Sequence, residues 1–88
     1  MAGAQSRIAG EAGRAMRTLD ASGLNCPLPV LKTRKILMGM RAGEQIQVIT
    51  TDAMSVVDMP VFCAQAGHRI VSEEKRDDDF IFVIERGP

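Results

Sequence analysis

The residue types that could do chemistry converge on one cysteine. Cys26 stands in Gly23-Leu24-Asn25-Cys26-Pro27-Leu28-Pro29-Val30, between a loop signal and a helix-forming run. Proline is tolerated in the first turn of a helix, where its missing N–H would have no partner. Pro27 and Pro29 are therefore expected in that turn, with Cys26 at the N-cap or beside it. Unpaired amides and the positive end of the helix dipole favour a thiolate there. From Ala21 to Gly43 the chain has no acidic residue and four basic ones, Lys32, Arg34, Lys35 and Arg41. The sequence thus predicts a thiol in a positive field, with its pKa lowered.

The other candidates are weaker. Cys63 lies in Val61-Phe62-Cys63-Ala64, an apolar helical context that suits a packed, structural thiol. A redox pairing of Cys26 with Cys63 would need their Cα atoms within about 7 Å. His68, the single histidine, follows Gly67 at the start of a strand, where a structural role is the simpler reading. Asp52 and Asp58 have the look of helix caps, and Asp77-Asp78-Asp79 that of a solvated turn. Met38, Met40, Met54 and Met59 are expected to fill the core. There is no CxxC and no Cys/His cluster at ligand spacing, so neither a metal nor another cofactor is implied.

A lone exposed thiolate with no evident base or oxyanion device is poorly equipped to hydrolyse esters or amides. Without a nearby second cysteine it is a poor dithiol oxidoreductase. It is well suited to taking the terminal sulfur of a persulfide, holding it as Cys–S–SH and passing it on.

The elements that must position this thiol can be read from hydrophobic period and punctuation. Met16–Ala21 is a strand candidate, ended by Ser22-Gly23. A helix from about Pro27 to Met40 carries Val30, Thr33, Leu37 and Met40 on one line, with Lys32 and Lys35 opposite, and Gly43 stops it. Glu44–Thr51 alternates as a strand, which makes a parallel βαβ unit. Pro60 complicates the next helix. A turn over Ala53–Val57, with Asp58 recapping a helix at 59–66, would place Pro60 in the first turn. His68–Lys75 and Phe80–Arg86 close as an antiparallel hairpin. The order βαβαββ implies an α+β fold, a two-layer sandwich with a mixed four-stranded sheet and both helices on one face.

Length and composition bound the rest. The chain has 88 residues, enough for one domain at 16–88 behind a flexible, glycine-rich tail at 1–15. Eleven basic residues balance eleven acidic ones, and Trp and Tyr are absent. Direct nucleic-acid binding through a basic or base-stacking surface is therefore not expected. No stretch approaches the ~20 apolar residues of a membrane span, and the N-terminus lacks a secretory core. A cytoplasmic, monomeric protein is the default expectation.

LDASGLNCPLPVLKTRKIL resembles the Cys-Pro-x-Pro signature of the TusA (SirA-like) sulfur-carrier family. TTD, DMPVFCAQAGHRIVSEE and the closing FIFVIER are similar to that family's later segments, in the same order. The resemblance covers about residues 17–86. It implies the βαβαββ sandwich, Cys26 as the persulfide-carrying residue, and Pro27 and Pro29 as shapers of its loop. It also implies a cysteine desulfurase as sulfur donor and a relay protein of the DsrE type, or another sulfur acceptor, downstream. The end use would be thiolation of the transfer-RNA wobble uridine or a related sulfur pathway. Members serving transfer-RNA thiolation carry an acidic residue between the two prolines, where this chain has Leu28. Leu28, Lys32, Arg34 and Lys35 are the expected docking positions beside the thiol. The alternative is a regulatory or RNA-binding α/β module without sulfur chemistry, of the kind found at the C-terminus of bacterial initiation factor 3.

Overall fold

The computed structural model describes residues 16–88; the segment 1–15, expected from its composition to be a tail, lies outside the described residues. Strand β1 (Arg17–Ala21) leads to helix α1 (Leu28–Met38), strand β2 (Gln45–Thr50), helix α2 (Ser55–Ala66), and the hairpin of β3 (Arg69–Arg76) and β4 (Asp79–Glu85). The sheet order is β1-β2-β4-β3. β1 pairs parallel to β2, and the other pairs are antiparallel. This is the expected mixed sheet with two helices.

Each helix buries a stripe at four-residue spacing. In α1 the stripe is Pro29, Thr33 and Leu37; in α2 it is Ser55, Met59 and Cys63. Those residues recur on one side because 3.6 residues make a turn. The strands answer with alternate residues. Leu19 stands opposite Val48, Val48 opposite Phe82, and Ile46 opposite Ile84. Leu37, Met40, Ile46, Val48, Met59, Cys63, Phe82 and Ile84 make the core. Burying an aliphatic or aromatic side chain of this size contributes about 1.5–3 kcal/mol. Thr33 is fully buried, and its hydroxyl donates to the Pro29 carbonyl at 2.8 Å, which removes the penalty of hiding it. The opposite residues of the central strands, Gln47, Ile49, Ile81 and Val83, are only half-buried on the uncovered face.

Three expectations are corrected. α1 stops at Met38 on Gly39, whereas Gly43 serves the turn into β2 with φ +89°. α2 begins at Ser55 and runs through Pro60, so Asp58 does not cap a shorter helix. An interior proline costs about 3 kcal/mol or more through a lost hydrogen bond and a ring clash. Here the carbonyl that loses its donor belongs to Val56, an exposed first-turn residue. The helix is held across the break by Met59 and Cys63, which are almost completely buried. Lastly, Met40 and Met59 do fill the core, but Met38 and Met54 are 70% and 52% exposed.

The parallel pairing positions the site. Ala21 stands opposite Thr50, so β1 and β2 end side by side and both strand-to-helix loops leave from one sheet edge. Gly23 N–H donates to Thr51 Oγ1 at 2.9 Å and ties the two loops together. Among the described residues, no helix is long and apolar enough to cross a membrane, and no group of three or more His, Cys, Asp or Glu could hold a metal.

Candidate functional site

Cys26 is exposed and sits one residue before Pro27, the N-cap of α1. Pro29 is the second helical residue and is buried, which anchors the start of the helix under the loop. Asn25 O accepts from Leu28 N–H at 2.9 Å, and Pro27 O accepts from Leu31 N–H at 3.0 Å. The cysteine is therefore presented from a fixed turn and a rigid first helical turn.

Two carboxylates from the neighbouring loop and helix meet it. Asp52 Oδ2 accepts from Cys26 N–H at 2.5 Å, and Asp58 Oδ2 accepts from the Cys26 thiol at 2.8 Å. Asp52 is itself held at several points. Its Oδ1 accepts from Met54 N–H at 3.1 Å. Its carbonyl accepts from the Ser55 hydroxyl at 2.5 Å and from Ser55 N–H at 3.0 Å. Its own N–H donates to Thr50 Oγ1 at 3.1 Å. Asp52 thus joins the start of α2 to the thiol loop, beyond the simple cap that its sequence position suggests.

This geometry overturns the expected electrostatics. The hydrogen bond to Asp58, partial shielding from water and the charges of Asp58 and Asp52 raise the Cys26 pKa above the ordinary thiol value. The predicted positive field fails for two reasons. Pro27 and Pro29 have no N–H, and Leu28 N–H is spent on Asn25 O, so the helix end offers few donors to an anion. Lys32, Arg34 and Lys35 are exposed along α1 and do not pair with the thiol, whereas the carboxylates touch it. Close charges dominate over distant, solvated ones.

The remaining candidates fall elsewhere. Cys63 is 1% exposed in the core, and burial pushes its thiol up to about 11; neither cysteine is in a disulfide. His68 follows the far end of α2. Its Nδ1 accepts from Gly87 N–H at 3.0 Å, and its ring lies 5.7 Å from that of Phe62. From Asp58 to the end of α2 at Ala66 the helix rises about 12 Å, and His68 lies beyond that end, so it is no base for Cys26. Leu28, Lys32, Arg34 and Lys35 are all exposed. Leu28 lies two residues from Cys26, and Arg34 lines a cavity of about 260 Å³ with His68 and Arg86.

Sequence reasoning missed the contact of Asp58 with the thiol. A signal was available, because the loops after two adjacent parallel strands lie at the same sheet edge. The segment opening α2 should therefore have been placed beside Cys26.

A parallel βαβ unit, a second helix and a closing hairpin, with the exposed Cys26 just before the first helix, define a small two-layer α+β sandwich. The family described as Sulfurtransferase TusA matches residues 17–86, and the chain belongs to it. The Sulfur carrier protein TusA of Allochromatium vinosum is 43% identical over 68 residues, which span 77% of this chain and 90% of that protein. A putative sulfur carrier protein of Neisseria meningitidis serogroup A is 38% identical over 68 residues, 77% of this chain and 92% of its own. The crystal structure of a SirA-like protein from Desulfitobacterium hafniense superposes with a TM-score of 0.74 at 25% identity, covering 83% of this chain and all of that one.

Proposed function

We propose that this protein is a sulfur carrier that takes sulfane sulfur onto Cys26 and hands it to a partner's cysteine. The observation that carries this reading is an exposed thiol presented on a rigid helix start. Cys26 lines neither the cavity of about 260 Å³ at Arg34, His68 and Arg86 nor the one of about 300 Å³ at Val56, Lys75 and Phe80. An open thiol suits exchange with another protein's sulfur better than turnover of an enclosed substrate. Family membership and the sulfur carrier proteins among the relatives support the same reading.

The donor in this reading is a cysteine desulfurase or an equivalent persulfide enzyme, and the acceptor is a relay protein of the DsrE type or a comparable thiol protein. The sulfur then enters transfer-RNA thiolation or a related pathway. Pro27 and Pro29 shape the loop, and Leu28 lies at the contact. The test is intact-mass measurement after incubation with a cysteine desulfurase and free cysteine. One added sulfur atom on the wild type, absent from Cys26→Ser, is expected. No added sulfur, or equal addition to both proteins, refutes the proposal.

A further inference from the structure

We propose that Asp58 is a positioning residue that holds the Cys26 thiol protonated in the free protein, and that a Lys or Arg of the sulfur donor releases the thiol by pairing with Asp58. This rests on the carrier reading above and names how the same cysteine is regulated and what its donor must bring.

The geometry is specific. Asp58 lies in the first turn of α2, half-buried, with Oδ2 2.8 Å from Sγ. Cys26 Sγ donates and Asp58 Oδ2 accepts, so the proton in this contact belongs to the sulfur. Ionising the thiol would destroy the bond and set two negative charges against each other. Asp52, from the β2–α2 turn, adds a second negative charge beside the Cys26 backbone. The charged groups bearing on Sγ are these two carboxylates; the basic residues of α1, Lys32, Arg34 and Lys35, do not offset them.

The surroundings describe what can dock. Met54 and Val61 stand four residues before and three residues after Asp58, on its side of α2, and are 52% and 48% exposed. Leu28 and Leu31 of α1 are also exposed. An acidic, thiol-bearing centre with apolar neighbours fits a partner surface that carries a cation beside its own reactive sulfur. The complement is thus a basic residue, whereas the α1 lysines by themselves would select an acidic partner.

The chemistry balances. When a partner cation pairs with Asp58, Cys26–SH gives its proton to water. The thiolate attacks the terminal sulfur of the donor persulfide, R–S–SH. A sulfur–sulfur bond forms to Cys26 as the donor's breaks, and R–S⁻ leaves and takes a proton from water. Cys26–SH and R–S–SH become Cys26–S–SH and R–SH, with no external oxidant or reductant. Delivery to an acceptor thiol is the same exchange with the roles reversed.

The test compares the full-length wild type with Asp58→Asn and Asp58→Glu. Alkylation of Cys26 by iodoacetamide is followed by intact mass from pH 6 to 10, and protection of buried Cys63 reports that each variant is folded. In Asp58→Asn the midpoint is expected to fall. Thiolate fraction then rises about tenfold per pH unit of that fall, while lower basicity weakens the nucleophile, leaving a net gain of about threefold per unit at pH 7. Asp58→Glu should return the profile toward that of wild type. Loading from glutathione persulfide should be faster in Asp58→Asn, whereas with a cysteine desulfurase its KM should rise. An unchanged alkylation profile overturns the hold on the proton, and an unchanged or lower KM for the protein donor overturns the partner cation. The alkylation profile needs no sulfur, so a wild type that fails to load sulfur refutes the carrier reading separately.

Discussion

Ser55→Ala tests the support beneath the thiol loop. Ser55 is 2% exposed and Thr50 is fully buried. The Ser55 hydroxyl donates its one proton to Asp52 O, so the 3.0 Å contact with Thr50 must use the Thr50 proton. Thr50 Oγ1 in turn accepts from Asp52 N–H. The three residues form a closed relay in which every hydroxyl is used. Removing the serine hydroxyl strands the buried Thr50 O–H, a loss of about 1–3 kcal/mol. Alanine's better helix propensity returns a few tenths of a kcal/mol. A net loss of about 1–2 kcal/mol should lower Tm by about 5–15 °C in a domain of this size. Calorimetry or a urea titration measures it. The amide of Cys26 should also exchange faster, because Asp52 loses a tether while still holding that N–H. Adding Thr50→Val removes the stranded donor but also the acceptor of Asp52 N–H, so the double variant should lose less than the sum of the two single losses. A Tm within about 2 °C of wild type, or additive losses in the double variant, would refute the relay.

Two further predictions concern the buried thiol and the C-terminal clasp. The Cys63 thiol keeps its proton to about 11 in the folded protein, against an ordinary value of 9.0. Its contribution is therefore whole below pH 9 and is lost as pH climbs through 11, an order of about 3 kcal/mol. Urea titrations over that range should show the decline in wild type, and Cys63→Ala should lack that part of it. At Gly87 an added Cβ would lie 1.7 Å from the Gly67 carbonyl oxygen, so the chain must move away. Gly87→Ala should break the Gly87 N–H to His68 Nδ1 bond and pull Arg86 from the Leu37 carbonyl. Burial and the Arg86 charge lower the His68 pKa. Its titration by NMR should therefore shift upward in Gly87→Ala, and an unmoved His68 would show that the clasp tolerates a side chain.

The sequence alone determined much of this protein. Alternation at Ile46 and Val48, and again at Phe80, Phe82 and Ile84, marks strands because side chains on a strand repeat every two residues. The Thr33–Leu37 spacing marks α1 in the same local way. Gly23 and the prolines punctuate the chain, and Cys26 stands out because a thiol at a proline-rich helix start has few structural uses. These signals depend on neighbours in the chain. Pro60 shows where local reading fails. Its break in α2 is overridden by Met59 and Cys63, whose burial against the sheet no local rule registers.

The state of the thiol was decided by tertiary structure. The local sequence around Cys26 is basic, and Asp52 and Asp58 lie 26 and 32 residues away along the chain. Parallel pairing of β1 with β2 brings them to 2.5 and 2.8 Å and turns a predicted activated thiolate into a held thiol. Electrostatic energy depends on distance in space and on the medium between charges, and neither can be read from sequence separation.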